Sequence, residues 1–169
     1  MKDPTDHVFR LPVQPEYDHV QHAPLYWLML GPSFVLLFVA MTMTDKTEDA
    51  WPVLGVAALI GLTAYSMHHL RVYDDGESLV ARFGPIPIFH KRIWYNQIES
   101  FAADRSTLID GWGVHWVLGR GWTFNLWGFD CVRFELAGGR TVRIGTNDPT
   151  ELVQFLAAKR AASPPEARE

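Results

Sequence analysis

AWPVLGVAALIGLTAYSM, residues 50–67, is the second of two long runs in which no side chain carries a charge. The first run covers residues 25–43, and the connection between the two runs, TDKTED, is mostly charged. An α-helix of about 20 residues crosses the roughly 30 Å hydrocarbon core of a bilayer. The two runs therefore predict a transmembrane helical hairpin within residues 25–70, with spans at 25–43 and 50–67.

The remainder of the chain has a different composition. Of 169 residues, 48% are hydrophobic, but the long uncharged runs lie within the first seventy. Residues 71–162 are mixed in polarity and long enough for one small domain with its own core. Residues 1–24 are polar and contain several prolines, which predicts an extended arm, and residues 163–169 are predicted to be a tail.

The charges that flank the runs predict an orientation. Lys2 and Arg10 precede the first run and Arg71 follows the second, whereas the connection holds only Lys46 among acidic residues. Because basic residues near membrane spans stay on the cytoplasmic side, both termini and the domain are predicted to be cytoplasmic.

Small residues in the second run suggest a helix-packing surface. Ala57 and Gly61 are four residues apart, and Gly55 and Ala64 lie nearby. Such a pattern permits close approach of another helix, although it also arises by chance in apolar helices.

After residue 70 the pattern changes to short β-branched and aromatic segments separated by turn residues, which is typical of antiparallel strands. Asp75-Gly76 and Gly138-Gly139 suit tight turns. The predicted strands are residues 70–73, 78–83, 89–94, 98–103, 114–117, 131–136 and 140–144.

A helix is predicted to close the domain. Asp148 can cap its first turn, Pro149 suits the first helical position, and Glu151 completes a capping-box pattern. It should end near Ala162. Its apolar stripe consists of Leu152, Phe155 and Leu156.

Several segments resemble bacterial membrane proteins of an uncharacterised family that carry a pleckstrin-homology-like (PH-like) domain. They include RIWYNQIES at 92–100, GWGVHW at 111–116 and GGRTVRIGTNDPTELVQFL at 138–156. The resemblance implies an α+β membrane protein in which a PH-like β-barrel of about seven antiparallel strands is closed by a C-terminal helix. It also implies a multi-pass protein of the bacterial inner membrane, and it implies no catalytic residues.

The segment 111–130 is rich in aromatic residues and glycine, and it has two interpretations. Its tryptophans either pack inside a small domain or form an exposed surface that contacts the bilayer interface or another protein. The candidate contact residues are Trp112, Trp116, Arg120, Trp122, Phe124, Leu126 and Trp127.

Three histidines lie at one end of the predicted hairpin. His22 precedes the first run, and His68 and His69 follow the second. Neutral imidazoles bind haem and related metals, so a haem- or pigment-binding electron-transfer or light-harvesting unit is one alternative. The other interpretation is that these are polar residues at the membrane interface, with no cofactor and no metal site.

Composition argues against several functions. The net charge of −4 and the lack of a basic run disfavour nucleic-acid binding. The single cysteine, Cys131, excludes an intrachain disulfide, and no diagnostic catalytic motif is present. We therefore expect a non-enzymatic accessory, scaffolding or assembly subunit of a larger membrane complex, with the lipid bilayer and other integral membrane proteins as partners. A lipid-interface sensor is a further alternative.

Overall fold

The computed structural model describes residues 16–43, 47–107 and 111–162. The predicted tail and most of the predicted arm lie outside these residues. The described chain contains three α-helices, nine strands and a 3-10 turn at Tyr95–Gln97. In order, the elements are β1 (Asp18–His22), α1 (Leu25–Thr42), α2 (Thr47–Ser66), β2 (His69–Asp74), β3 (Ser78–Phe83), β4 (His90–Trp94), β5 (Ile98–Arg105), β6 (Gly113–Val117), β7 (Gly121–Asn125), β8 (Asp130–Leu136), β9 (Arg140–Gly145) and α3 (Pro149–Ala162).

Helices α1 and α2 form from the two uncharged runs, and they pack side by side. Ser33 Oγ on α1 donates a hydrogen bond to the carbonyl oxygen of Ala57 on α2, at 2.8 Å. A Cβ atom added at Gly61 would lie 3.1 Å from Ser33 Oγ, which is tighter than an ordinary contact. Small residues on α2 therefore allow the two helices to approach closely.

The predicted two-helix transmembrane hairpin is wrong. Among the described residues, one helical stretch is long and apolar enough to cross a membrane, and it is Glu48–Ser66 in α2. The apolar stretch of α1, Tyr26–Thr42, is shorter. Met43 has already left helical geometry, with φ −87° and ψ 42°. The sequence shows how far the uncharged run extends, but it does not show where the helix ends.

Strand β1 brings the outer ends of the two helices together. It pairs antiparallel with β2, so that Asp18 lies opposite Tyr73 and His22 lies opposite His69. Strand β1 precedes α1 and β2 follows α2, and both sheet-forming segments therefore lie at the same end of the helix pair. The last residues of the predicted extended arm thus belong to a sheet.

The strands form two sheets. Sheet A has the order β1-β2-β3-β4, and sheet B has the order β5-β8-β9-β7-β6. Neighbouring strands are antiparallel except β7 and β9, which are parallel. The turn Tyr95–Gln97 separates β4, the last strand of sheet A, from β5, the first strand of sheet B.

The predicted PH-like barrel of about seven antiparallel strands is therefore wrong. A barrel needs a ladder of hydrogen bonds that closes on itself, and over the residues described here neither sheet closes. Two strands account for much of the difference. Strand β1 adds an edge to sheet A from before the helices, and β7 forms within the aromatic segment and pairs in parallel with β9.

One cluster of buried apolar side chains joins the two sheets and α3. Helix α3 begins at Pro149, and Asp148 Oδ1 accepts a hydrogen bond from the Glu151 backbone N–H at 2.9 Å, which confirms the predicted cap. Leu152 and Leu156 of α3 are buried in the cluster. The largest side chains buried there include Leu70, Leu79, Phe83, Ile93, Leu126, Phe134 and Ile144.

Candidate functional site

The helix pair has a large exposed apolar surface. Only 22% of the most apolar stretch of α2 is buried within the protein, so α2 is not the core helix of a globular domain. Exposed apolar patches of this extent mark contact with a membrane or a partner. The exposed large side chains are Trp27, Leu28, Phe34, Val35, Leu37, Phe38, Val39 and Met41 on α1, and Trp51, Val56, Leu59, Leu62 and Tyr65 on α2.

Aromatic rings mark both ends of this surface. Tyr26 and Trp27 lie in the first turn of α1, with their ring centroids 4.9 Å apart. Trp51 lies in the first turns of α2, at the opposite end of the pair, and it is 69% exposed. Tryptophan and tyrosine favour the headgroup level of a membrane because their rings are amphipathic.

The predicted helix-packing residues occupy different environments. Ala57 and Ala64 are fully buried, and Gly61 faces Ser33 of α1. Gly55 is exposed, and a Cβ atom added there would meet nothing within 4 Å. The close approach of the helices therefore involves Ala57 and Gly61 rather than Gly55.

A second exposed apolar surface lies on sheet B. We call it the tryptophan surface, and it comprises Trp112, Trp116, Leu118, Trp122 and Trp127. The four tryptophans are between 37% and 55% exposed, and Leu118 is 83% exposed. Trp116 on β6 lies directly opposite Trp122 on β7, while Trp112 and Trp127 stack with ring centroids 4.3 Å apart.

Two of the predicted contact residues are part of the core instead. Phe124 is 6% exposed and Leu126 is fully buried. The main chain of Arg120 has an internal role, because its carbonyl oxygen accepts a hydrogen bond from Arg143. Leu118 also belongs to the tryptophan surface, but it was not among the predicted contact residues. It has no aromatic ring, and only its position beside Gly119 indicates an exposed turn.

The strand register explains the exposed tryptophans. Trp122 lies opposite Val142 on β9, and Val142 lies opposite Phe134 on β8. Residues opposite one another share a face of the sheet, so Trp116 and Trp122 continue the row that includes the buried Val142 and Phe134. Trp116 and Trp122 therefore lie on the core-facing side of sheet B, at the end that no other described element covers.

The stacked tryptophans lie close to the end of the helix pair. Gln21 Nε2 on β1 donates a hydrogen bond to the Trp127 carbonyl oxygen at 3.0 Å. A Cβ atom added at Gly113, which follows Trp112, would lie 3.5 Å from Met67 Cε, just beyond α2. The tryptophan surface thus begins beside the junction between sheets and helices.

The three predicted histidines also meet at this junction, and we call them the histidine cluster. The His22 ring centroid lies 5.5 Å from that of His68 and 5.7 Å from that of His69. The Nδ1 atoms of His68 and His69 are 3.3 Å apart. Within the described ranges, no three His, Cys, Asp or Glu side chains are arranged to hold a metal ion. The three rings contact one another directly.

A buried charge cluster connects α3 to sheet A. The Asp74 carboxylate is almost fully buried and accepts hydrogen bonds from Tyr95 Oη at 2.6 Å and Lys159 Nζ at 3.0 Å. Burial raises the pKa of Asp74, but bonds from Tyr95, the Gly76 N–H and Lys159 outweigh it and hold that pKa below 3.8. Burial and Asp74 together raise the pKa of Tyr95. The sequence does not predict this structural contact, because Asp74, Tyr95 and Lys159 are far apart in the chain.

The chain therefore combines an apolar helix pair, two sheets and an exposed aromatic surface at their junction. No protein-family model matches the chain, and no curated protein matches it. The resemblance to PH-like membrane proteins stays a prediction, and the barrel that it implied is absent from the described residues.

Proposed function

We propose that this protein is a non-enzymatic, membrane-anchored accessory or assembly subunit of a membrane protein complex. Helix α2 is the anchor, and α1 packs against it. The tryptophan surface binds an integral membrane partner. The observation that carries the proposal is the exposed apolar surface of the helix pair.

The energetics of that surface support a lipid environment. Keeping one large apolar side chain in water costs about 1.5–3 kcal/mol relative to burying it, and both helices expose many such side chains along their length. Helix α1 has no charged residue, and the acidic residues of α2, Glu48 and Asp49, lie in its first turn. The apolar surface therefore has the composition expected of contact with hydrocarbon.

The orientation of the anchor is part of the proposal. The pairing of β1 with β2 supports an arrangement in which both sheets lie on one side of the membrane. In the sequence, Lys2 and Arg10 precede α1 and Arg71 follows α2, which favours the cytoplasmic side of an inner membrane.

The tryptophan surface supports a protein partner. Tryptophan is enriched among the residues that contribute most to binding energy at protein interfaces. The surface adjoins the helix junction through Trp127 and Gly113, so a partner that lies in the same membrane is within its reach.

Membrane fractionation tests the anchor. The wild-type protein should stay in the membrane pellet after an alkaline wash. Leu59→Arg should lose this retention, because an arginine at the centre of a span costs about 2.5–3.5 kcal/mol on insertion scales. Leu118→Arg is the matched control, since Leu118 is at least as exposed but lies outside the helices, and this variant should stay in the pellet. Release of the wild-type protein by the wash would overturn the anchor.

Co-purification tests the partner surface. The double variant Trp116→Ser and Trp122→Ser should lose a membrane protein that travels with the wild type in mild detergent, while it stays membrane-bound. Trp94→Ser on sheet A is the control, because Trp94 is also partly exposed but lies in the other sheet. An unchanged complex in the double variant would refute the role of the tryptophan surface.

A further inference from the structure

The histidine cluster lies where sheet A connects to the helix pair. His22 is the last residue of β1, and only Ala23 and Pro24 separate it from α1. His69 is the first residue of β2 and lies directly opposite His22. The side chains of these two histidines therefore meet at the last pair of the β1–β2 ladder.

The ring contacts in the cluster depend on protonation. His68 Nδ1 and His69 Nδ1 are 3.3 Å apart, so one of the two nitrogens must donate and the other must accept. A neutral imidazole has one donor and one acceptor nitrogen, whereas an imidazolium has two donors. If both rings are protonated, two N–H groups face each other and the contact is lost. His22, in ring contact with both, adds a third positive charge when it is protonated.

The charges around the cluster are mainly positive. Arg71 on β2 and Arg82 on β3 raise the cost of a positive charge on His69, and His90 on β4 lies opposite Arg82. The Asp18 carboxylate on β1 is engaged with Arg71, at 2.7 Å from Nε. From α1, the uncharged Tyr26 ring packs on His68 at 4.8 Å.

We propose that the histidine cluster is a proton-sensitive latch, which holds the His22 end of β1 against β2 at neutral pH and releases it when the cluster is protonated. Because β1 continues into α1, release loosens the joint between the sheets and the helices. The latch does not depend on which partner the tryptophan surface binds.

The direction of the pH effect follows from the environment of His69. Burial lowers its pKa below the ordinary value of 6.5, and the neighbouring histidines and arginines lower it further. The folded protein therefore binds this proton less well than the unfolded chain does. The stabilisation is complete above pH 6.5 and is lost as the pH falls through the lower value of the folded state.

Amide hydrogen exchange of the full chain in lipid nanodiscs tests the latch. Exchange in peptides that cover β1 is measured at about pH 7.5 and about pH 5.5, and each rate is divided by the intrinsic rate at that pH. We expect β1 to lose protection at the lower pH, because the folded protein binds the His69 proton less well than the unfolded chain does. Strand β8, in the interior of sheet B, should show no such loss.

Three variants make the test specific. His69→Gln and His22→Gln should each remove most of the extra loss in β1, because each removes one imidazole ring from the cluster. His90→Gln is the matched control, since His90 lies on sheet A two strands from β2, and this variant should keep the wild-type response. The latch is refuted if wild-type β1 shows no excess exchange at the lower pH. It is also refuted if both cluster variants keep the full response.

Discussion

Helices α2 and α3 differ in the size of the side chains that they bury. Helix α3 buries Leu152 and Leu156 and carries Lys159 and Arg160 in its last turn, as expected of a helix between a core and water. Helix α2 buries Ala57 and Ala64, whereas its Leu59 is 64% exposed. Burial of small residues and exposure of large ones is the arrangement of helices packed in lipid. The two helices thus differ in what they bury, because α3 buries large apolar side chains and α2 buries small ones.

The largest difference between the two helices should appear in leucine truncations. Leu152→Ala should lower the free energy of unfolding in detergent by about 2–5 kcal/mol, because it leaves a cavity in the core. Leu59→Ala removes little contact within the protein, and its loss should stay below about 1 kcal/mol. Urea titrations of both variants measure this contrast. Equal losses would mean that Leu59 is packed inside the protein.

The second difference concerns charge, because the buried carboxylate Asp74 binds α3 to sheet A through Lys159. Lys159→Met should cost about 1–3 kcal/mol near neutral pH, since it removes a hydrogen bond to a charged group and leaves Asp74 without its cation. Lys91→Met on β4 serves as the control and should have a smaller effect.

The same variant has a defined pH dependence. The folded-state pKa of Asp74 lies below the ordinary value of 3.8, so its stabilisation is present above that pH and is lost as the pH falls through the folded value. Unfolding curves of the wild type and Lys159→Met should therefore converge in strong acid. A constant difference at every pH would show that Lys159 contributes through packing alone.

A third difference lies within α2, between the face that packs against α1 and the face that is exposed. A larger side chain should be tolerated only on the exposed face. Ala57→Leu should destabilise the protein by about 1–3 kcal/mol, because Ala57 is fully buried and its carbonyl accepts the bond from Ser33. Ala58→Leu, one residue along, places the same volume on the exposed face and should be nearly neutral. Thermal unfolding in detergent compares the two, and an inert Ala57→Leu would place the α1–α2 contact elsewhere.

The smallest expected effect concerns helix capping. Asp148 accepts a hydrogen bond from the Glu151 N–H in the first turn of α3, whereas the residue before α1, Pro24, makes no side-chain cap bond. Asp148→Ala should cost about 1 kcal/mol. Thr150→Ala in the same turn is the control. A cap variant as stable as its control would show that water or another group replaces the carboxylate.

Local patterns in the sequence predicted many of the strands, although they did not predict the division of the strands into sheets A and B. Val132, Phe134 and Leu136 alternate along β8, and Val142 and Ile144 face them from β9, and all five are buried as predicted. Gly138 and Gly139 adopt positive φ between these strands. Alternation and turn glycines are properties of neighbouring residues, so a single sequence is enough to show them.

Pairing between distant segments could not be predicted in this way. Strand β1, DHVQH, has no apolar alternation, and its partner β2 follows two helices. Strand β7 buries Thr123, Phe124 and Asn125 in succession, which hides the two-residue period. The need for glycine at position 121 could not be predicted either. A Cβ atom added at Gly121 would lie 2.1 Å from the Thr141 carbonyl oxygen. This close approach of β7 to β9 is visible only in three dimensions.

The candidate surfaces were predictable in part. The sequence identified the aromatic segment as a candidate surface. It did not show which of the aromatic residues are exposed and which are buried, because that depends on how much of the core-facing side of sheet B is covered by the rest of the protein. The two buried residues, Phe124 and Leu126, and the exposed Trp116 and Trp122 are all large and apolar. The meeting of the three histidines followed from the antiparallel helices, although their direct ring contact required the β1–β2 register.

Accessibility of a spin label in lipid nanodiscs tests the central claim most directly. Labels are introduced by Leu59→Cys and, as the reference, by Leu118→Cys, and the native Cys131 is buried. If the exposed face of α2 lies in hydrocarbon, the label at position 59 should collide frequently with oxygen and rarely with a water-soluble nickel complex, whereas the label at position 118 should show the reverse preference. A label at position 59 that meets the nickel complex as often as the label at position 118 would contradict the account.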